Sequence, residues 1–89
     1  MALTKLYPSY AAAGCQVPAV APLLARGADI HNYNDLTLRT AARFGQLEMV
    51  AFLLDHGADL HARNDEALRW ARERGHTAVV ALLLERAQA

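Results

Sequence analysis

The chain has 89 residues, room for one domain, and more than half of them are apolar, with Ala and Leu outnumbering β-branched and aromatic side chains. Nine basic and nine acidic residues cancel, which excludes a mainly electrostatic hold on nucleic acid or anionic lipid. One cysteine, Cys15, rules out an intrachain disulfide and a cysteine metal cluster, and suits a reducing, cytoplasmic setting.

From the N-terminus, Ala12-Ala13-Gly14-Cys15 resembles a loose lipoprotein cleavage site, but the stretch before it carries Lys5, Tyr7, Pro8, Ser9 and Tyr10 and is too polar for an export signal. Pro18 and Pro22 follow; proline is tolerated in a helix's first turn, so the first helix is expected to be short and to begin near Pro18. Gly27-Ala28-Asp29 ends it. Asp35 is then read as the N-cap of a helix over residues 36–44, stopped by Gly45 in a left-handed conformation. A second helix over 47–56 carries Met49, Val50, Leu53 and Leu54 at core spacing and stops at Gly57. Residues 57–64 are too polar and turn-rich for a helix and read as a loop or stunted hairpin. Asp65 caps a further helix over 66–74, Gly75 ends it, and a last helix spans 77–86 with Val79, Val80, Leu83 and Leu84 inward. The longest apolar run, Ala78 to Leu84, is far too short to span a bilayer, so no membrane role is expected.

These elements repeat every 30 residues. Of the 30 pairs from Gly27/Gly57 to His56/Arg86, 14 are identical, including Gly-Ala-Asp, His31/His61, Asn34-Asp35/Asn64-Asp65, Leu38-Arg39/Leu68-Arg69 and Leu53-Leu54/Leu83-Leu84. A worn copy precedes them in Val20-Ala21, Leu23-Leu24 and Gly27-Ala28-Asp29. The chain divides into residues 1–30, a degenerate unit, then 31–60 and 61–89. No unit can bury its own apolar stripe, so the units must stack through small residues such as Ala41, Ala42 and Ala71.

Gly75-His76, Val79-Val80 and Leu83-Leu84, with Gly45, Val50, Leu53-Leu54 and Gly57-Ala58-Asp59, follow the pattern G-H-x-x-V-V-x-x-L-L-x-x-G-A-D, which resembles the ankyrin repeat over nearly all of residues 17–86. The resemblance implies an all-α solenoid of about three helix-turn-helix units. The chain departs from it in period, 30 against the usual 33, and keeps only Leu and Ala of the first-helix motif T-P-L-H-x-A. The missing residues precede the first helix, which predicts short fingers. Arg39 and Arg69 stand where the family has histidine, and either loop bracing or partner contact would suit them.

The family likeness further implies a non-catalytic scaffold, binding a protein through the concave face of finger tips and first helices. Matched by position, that face is Tyr33, Asn34, Arg43 and Phe44 in the middle unit and Arg63, Asn64, Glu73 and Arg74 in the last. Aromatic and arginine side chains dominate interface hot spots, which favours Tyr33, Phe44, Arg43, Arg63 and Arg74 as anchors. Trp70 is read as a core residue, or a wall exposed at the end of the stack.

Enzyme chemistry has little to stand on. His31 and His61 sit at equivalent positions of units spaced roughly 8 to 10 Å apart, too far to share a zinc ion. His76 matches the ankyrin turn histidine and His56 lies near a helix end. Cys15 has no histidine in its local sequence, and no phosphate-binding glycine loop or nucleophile elbow is present. No cofactor, no metal and no nucleic acid are expected; the arginines at 63, 69, 72 and 74 are interleaved with Asp65, Glu66 and Glu73. A rival reading is a fragment of a larger array that self-associates. The last helix keeps Val79, Val80, Leu82, Leu83 and Leu84, so a homo-oligomer through this C-terminal end is the alternative.

Overall fold

The computed structural model describes residues 17–88, which form five helices and, among these residues, no strand. They are α1 (Val17–Ala25), α2 (Asn32–Arg43), α3 (Leu47–Asp55), α4 (Ala62–Glu73) and α5 (Thr77–Ala87). Expectations for Cys15 and for the stretch from Lys5 to Gly14 lie outside the described residues.

Packing follows the apolar spacing. Leu38, Met49, Val50, Leu53, Val79 and Leu83 are fully enclosed, with Val20 closing the N-terminal end of the core. Between the first helices the buried residues are small: Ala41 and Ala42 on α2, Ala67 and Ala71 on α4. Small side chains let two helix backbones approach closely, and α2 packs chiefly on α4 as expected for stacked units. Burying a Leu or Val side chain contributes about 1.5–3 kcal/mol, so the aliphatic core of α3 and α5 supplies much of the driving force.

The first four helices end the same way. The amide of Ala28 donates to the carbonyl of Leu23, Gln46 to Ala41, Ala58 to Leu53 and His76 to Ala71, at 2.9–3.0 Å. This six-to-one closure needs a left-handed residue just before its donor, and Gly45 (φ 71°) and Gly57 (φ 93°) supply it at no Cβ cost.

Two expectations are corrected. Pro22 lies inside α1 rather than in its first turn. Its ring is exposed, as is Pro18 four residues earlier, so the carbonyl that loses its helical donor is on the solvent side. The helix is short all the same, nine residues.

The second correction concerns Asp35 and Asp65, which do not act as N-caps. Tyr33, Asn34 and Asp35 all have positive φ (56°, 58°, 58°), and Arg63, Asn64 and Asp65 repeat this (55°, 59°, 61°). An N-cap residue has extended backbone and turns its side chain onto its own helix; a left-handed residue aims it elsewhere. With the finger shortened, the chain reverses within three residues, as one left-handed turn. A left-handed residue with a Cβ costs roughly 1–2 kcal/mol, least for Asn and Asp, so Tyr33 and Arg63 need outside support.

Candidate functional site

That support comes from the arginines of the first helices. Arg39 donates from Nε to the carbonyl of Asn34 (3.0 Å) and from Nη2 to that of Tyr33 (2.8 Å). Arg69 makes the same fork to Asn64 (3.2 Å) and Arg63 (3.1 Å). A left-handed turn points successive carbonyls to one side, and a planar guanidinium can take two at once. Both arginines therefore brace loops, which answers the question their position raised in the sequence.

The turn before each fork is closed locally. The amide of His31 donates to Asp29 Oδ1 and that of His61 to Asp59 Oδ1, both at 2.9 Å. Each histidine then offers Nδ1 to the aspartate four residues on: His31 to Asp35 at 3.0 Å, His61 to Asp65 at 2.6 Å. The Asp35 hydrogen bond holds the His31 pKa above its ordinary value. The spacing of four was present in the sequence at both places and signals these pairs.

Other bonds span a whole unit or join neighbouring units. Asp35, 3% exposed, accepts the amide of Asp59 at 2.8 Å. Arg39, 6% exposed, pairs its Nη1 with Glu66 of the next unit. His76 reaches back, its Nε2 donating to the carbonyl of Arg43 at 2.9 Å while its ring lies against Gly45. The histidine matched by position to the ankyrin turn thus bonds across units. His56 bonds within its own helix end, Nδ1 to the carbonyl of Phe52 at 2.9 Å.

On this frame the expected site residues separate into two sets. Arg43, Phe44 and Arg74 come together: the Arg43 guanidinium lies 5.6 Å from the Phe44 ring centre, and that of Arg74 lies 6.0 Å from the same ring. Trp70, read from the sequence as core or as an exposed wall, joins them half-buried, with Arg43 at 5.2 Å and Arg39 at 6.0 Å from its ring. The other set is the two finger turns. Tyr33 is 55% exposed, Asn34, Arg63 and Asn64 are exposed, and Arg63 approaches Glu66 at 3.9 Å. Arg39 connects the sets, holding the Tyr33–Asn34 turn while its guanidinium faces Trp70. Glu73 is exposed and pairs with no cation among the described residues.

The C-terminal end differs from what the apolar run suggested. Val79 and Leu83 are buried, and Leu82 is half-buried like its counterpart Phe52. Leu82 lines a shallow groove between α3 and α5 with Leu47, Ala51, Ala78, Ala81 and Glu85, away from the end. Among the residues that lose burial relative to the middle unit are Leu68, Arg69, Arg72, Val80 and Leu84, against Leu38, Arg39, Ala42, Val50 and Leu54. These mark the end face, and on it Arg72 stands where the middle unit buries Ala42.

No group of three metal-ligating side chains occurs among the described residues, and no described helix is long and apolar enough to cross a membrane.

Stacked helix pairs joined by tight loops, with first helices packed through alanines and second helices supplying the aliphatic core, define a helical repeat protein. The family model for ankyrin repeats matches three copies over residues 9–89, and the chain belongs to that family. Ankyrin repeats are generally protein–protein interaction modules. Comparison with curated proteins and with solved structures gives no match.

Proposed function

We propose that the chain is a non-catalytic recognition module, acting in the cytoplasm, that binds one protein partner through the face carrying Tyr33, Asn34, Arg43, Phe44, Arg63, Asn64, Glu73 and Arg74. The observation that carries this is the cluster of Arg43, Phe44, Trp70 and Arg74, built from two neighbouring units and partly open to solvent. Phe44 leaves 43% of its surface exposed between two guanidiniums. Aromatic and arginine side chains contribute most of the energy at interfaces, and here their geometry is set before any partner arrives.

Site-specific photocrosslinking tests the reading. A benzophenone amino acid at position 44 or 33 is expected to capture a discrete partner in cell extract. The same group at position 47, in the groove between α3 and α5, is expected to capture none. Crosslinks from position 47 alone would assign binding to the opposite surface.

A second reading, self-association through the C-terminal end, draws support from Leu68, Val80 and Leu84, the last 40% exposed. The groove position of Leu82 makes Leu84→Glu the informative substitution. Light scattering over a concentration series is expected to show oligomers that this variant disperses. A mass that stays monomeric at every concentration removes the reading.

A further inference from the structure

We propose that the Arg43–Phe44–Arg74 cluster takes an acidic peptide segment of a protein partner, with Asp or Glu carboxylates on the two guanidiniums and a bulky apolar side chain on the Phe44 ring. This rests on the reading of that face as the binding surface and adds its chemistry.

The charges argue for it. Arg39 and Arg63 reach Glu66, and Arg86 reaches Asp55 at 2.8 Å. Arg43 and Arg74 have no carboxylate within ion-pair distance among the described residues. Both lie over one phenyl ring, at 5.6 and 6.0 Å from its centre, so two like charges flank the same ring without a counter-ion among the described residues. An anion between them relieves that repulsion. A guanidinium has its N–H groups at its edge, where they can meet a carboxylate in the two-pronged geometry that gives strong charge-assisted bonds.

The ring supplies the second requirement. Phe44 is an apolar surface between two cations, so it suits an apolar side chain flanked by acids rather than an acidic run alone. A nucleic acid is a poorer match. The chain carries no net charge to attract a polyanion, and exposed Glu73 sits next to Arg74, where a continuous line of phosphates would meet it.

The test uses the full chain, labelled for nuclear magnetic resonance, and four probes. Three are synthetic peptides of roughly 12 residues, long enough to cross two units. One alternates Glu pairs with Leu, the second has Gln for Glu, the third has Lys for Glu. The fourth probe is an oligothymidylate of similar length. The acidic peptide is expected to shift the Arg43 and Arg74 side-chain Nε signals and the Phe44 ring signals. The Gln peptide is expected to bind about tenfold more weakly, since two charge-assisted bonds become neutral ones. Raising salt should weaken the acidic peptide further. Arg43→Gln with Arg74→Gln should remove the difference between acidic and Gln peptides while circular dichroism stays helical.

Equal binding of the Gln peptide, tighter binding of the Lys peptide, tighter binding of the oligothymidylate, or no shift at these signals would each overturn the assignment. Crosslinking from position 44 reports on the face and the peptide series on its chemistry, so the two failures are separately visible.

Discussion

The Asp35 carboxylate accepts the backbone amide of Asp59 at 2.8 Å, so a side chain at the start of the middle unit holds the loop at that unit's end. Asp65, its counterpart, is bonded by His61 and accepts no loop amide from a following unit among the described residues. A hydrogen bond to a charged acceptor contributes about 1.5–3 kcal/mol. Asp35→Ala is therefore expected to destabilise the chain by that amount, with a further contribution from placing Ala at positive φ. Asp65→Ala shares only the second part. Urea unfolding of the two variants measures the difference, and equal losses would remove the loop-holding role of Asp35.

The Asp35 carboxylate also makes stability depend on pH. Its hydrogen bond to His31 raises the histidine pKa above 6.5, so the charged ring is favoured in the folded chain. That contribution is present in full below pH 6.5, the unfolded value, and is lost as pH rises through the raised folded value. The urea midpoint is expected to fall from pH 6 to pH 8, modestly, because the His31 ring is largely exposed. His31→Gln should make the slope shallower. An unchanged slope would show that the pair does not contribute to folding.

Asp35 shows where sequence reading reaches its limit. Helix position, glycine stops and core residues such as Leu38, Met49, Leu53 and Leu83 were legible because they follow local periodicity. The N-cap reading of Asp35 applied a local rule that assumes extended backbone before a helix. Shortening the finger replaced that backbone with a left-handed turn, and the carboxylate swung to a partner 24 residues away. Arg39 was ambiguous for the same reason. Its bonds reach back five and six residues and forward 27, spacings to which no helical or strand period draws attention. At the candidate site, Arg43, Phe44 and Arg74 were found from repeat position. For Trp70 the core and wall readings both stayed open, and its place beside Arg43 was not foreseen, because that depends on how α4 sits against α2.

Arg39 should resist even a charge-conserving change. It holds two carbonyls of a strained turn and the carboxylate of Glu66, with its side chain 8% exposed. Lysine keeps the charge but lacks the fork, so one anchor of the left-handed turn and the geometry of the ion pair go together. Arg39→Lys is expected to cost about 2 kcal/mol or more, given that breaking a buried pair commonly costs 3–5. Arg69→Lys, exposed and without a carboxylate partner among the described residues, should cost less than about 1 kcal/mol. Chemical denaturation of both variants gives the comparison. Similar losses would place the stabilisation in the turn alone and leave the Glu66 pair without energetic weight.

Gly45 and Gly75 have nearly the same backbone, φ 71° and 75°, and differ in what stands above them. A Cβ at Gly45 would lie 2.6 Å from His76 Nδ1, whereas one at Gly75 meets nothing within 4 Å. Gly75→Ala carries only the left-handed penalty of about 1–2 kcal/mol. Gly45→Ala must also push the His76 ring away from the carbonyl of Arg43, breaking a bond between units and shifting the backbone beneath Phe44. The excess cost of the second substitution is expected to be about 1 kcal/mol or more, the value of a buried hydrogen bond with its packing. In a His76→Ala background the obstacle is absent, and the two glycine substitutions should cost the same. This double-mutant cycle isolates the ring contact from backbone strain. An excess that survives removal of His76 would mean that the tightness at Gly45 arises from the helices themselves rather than from the histidine laid across them.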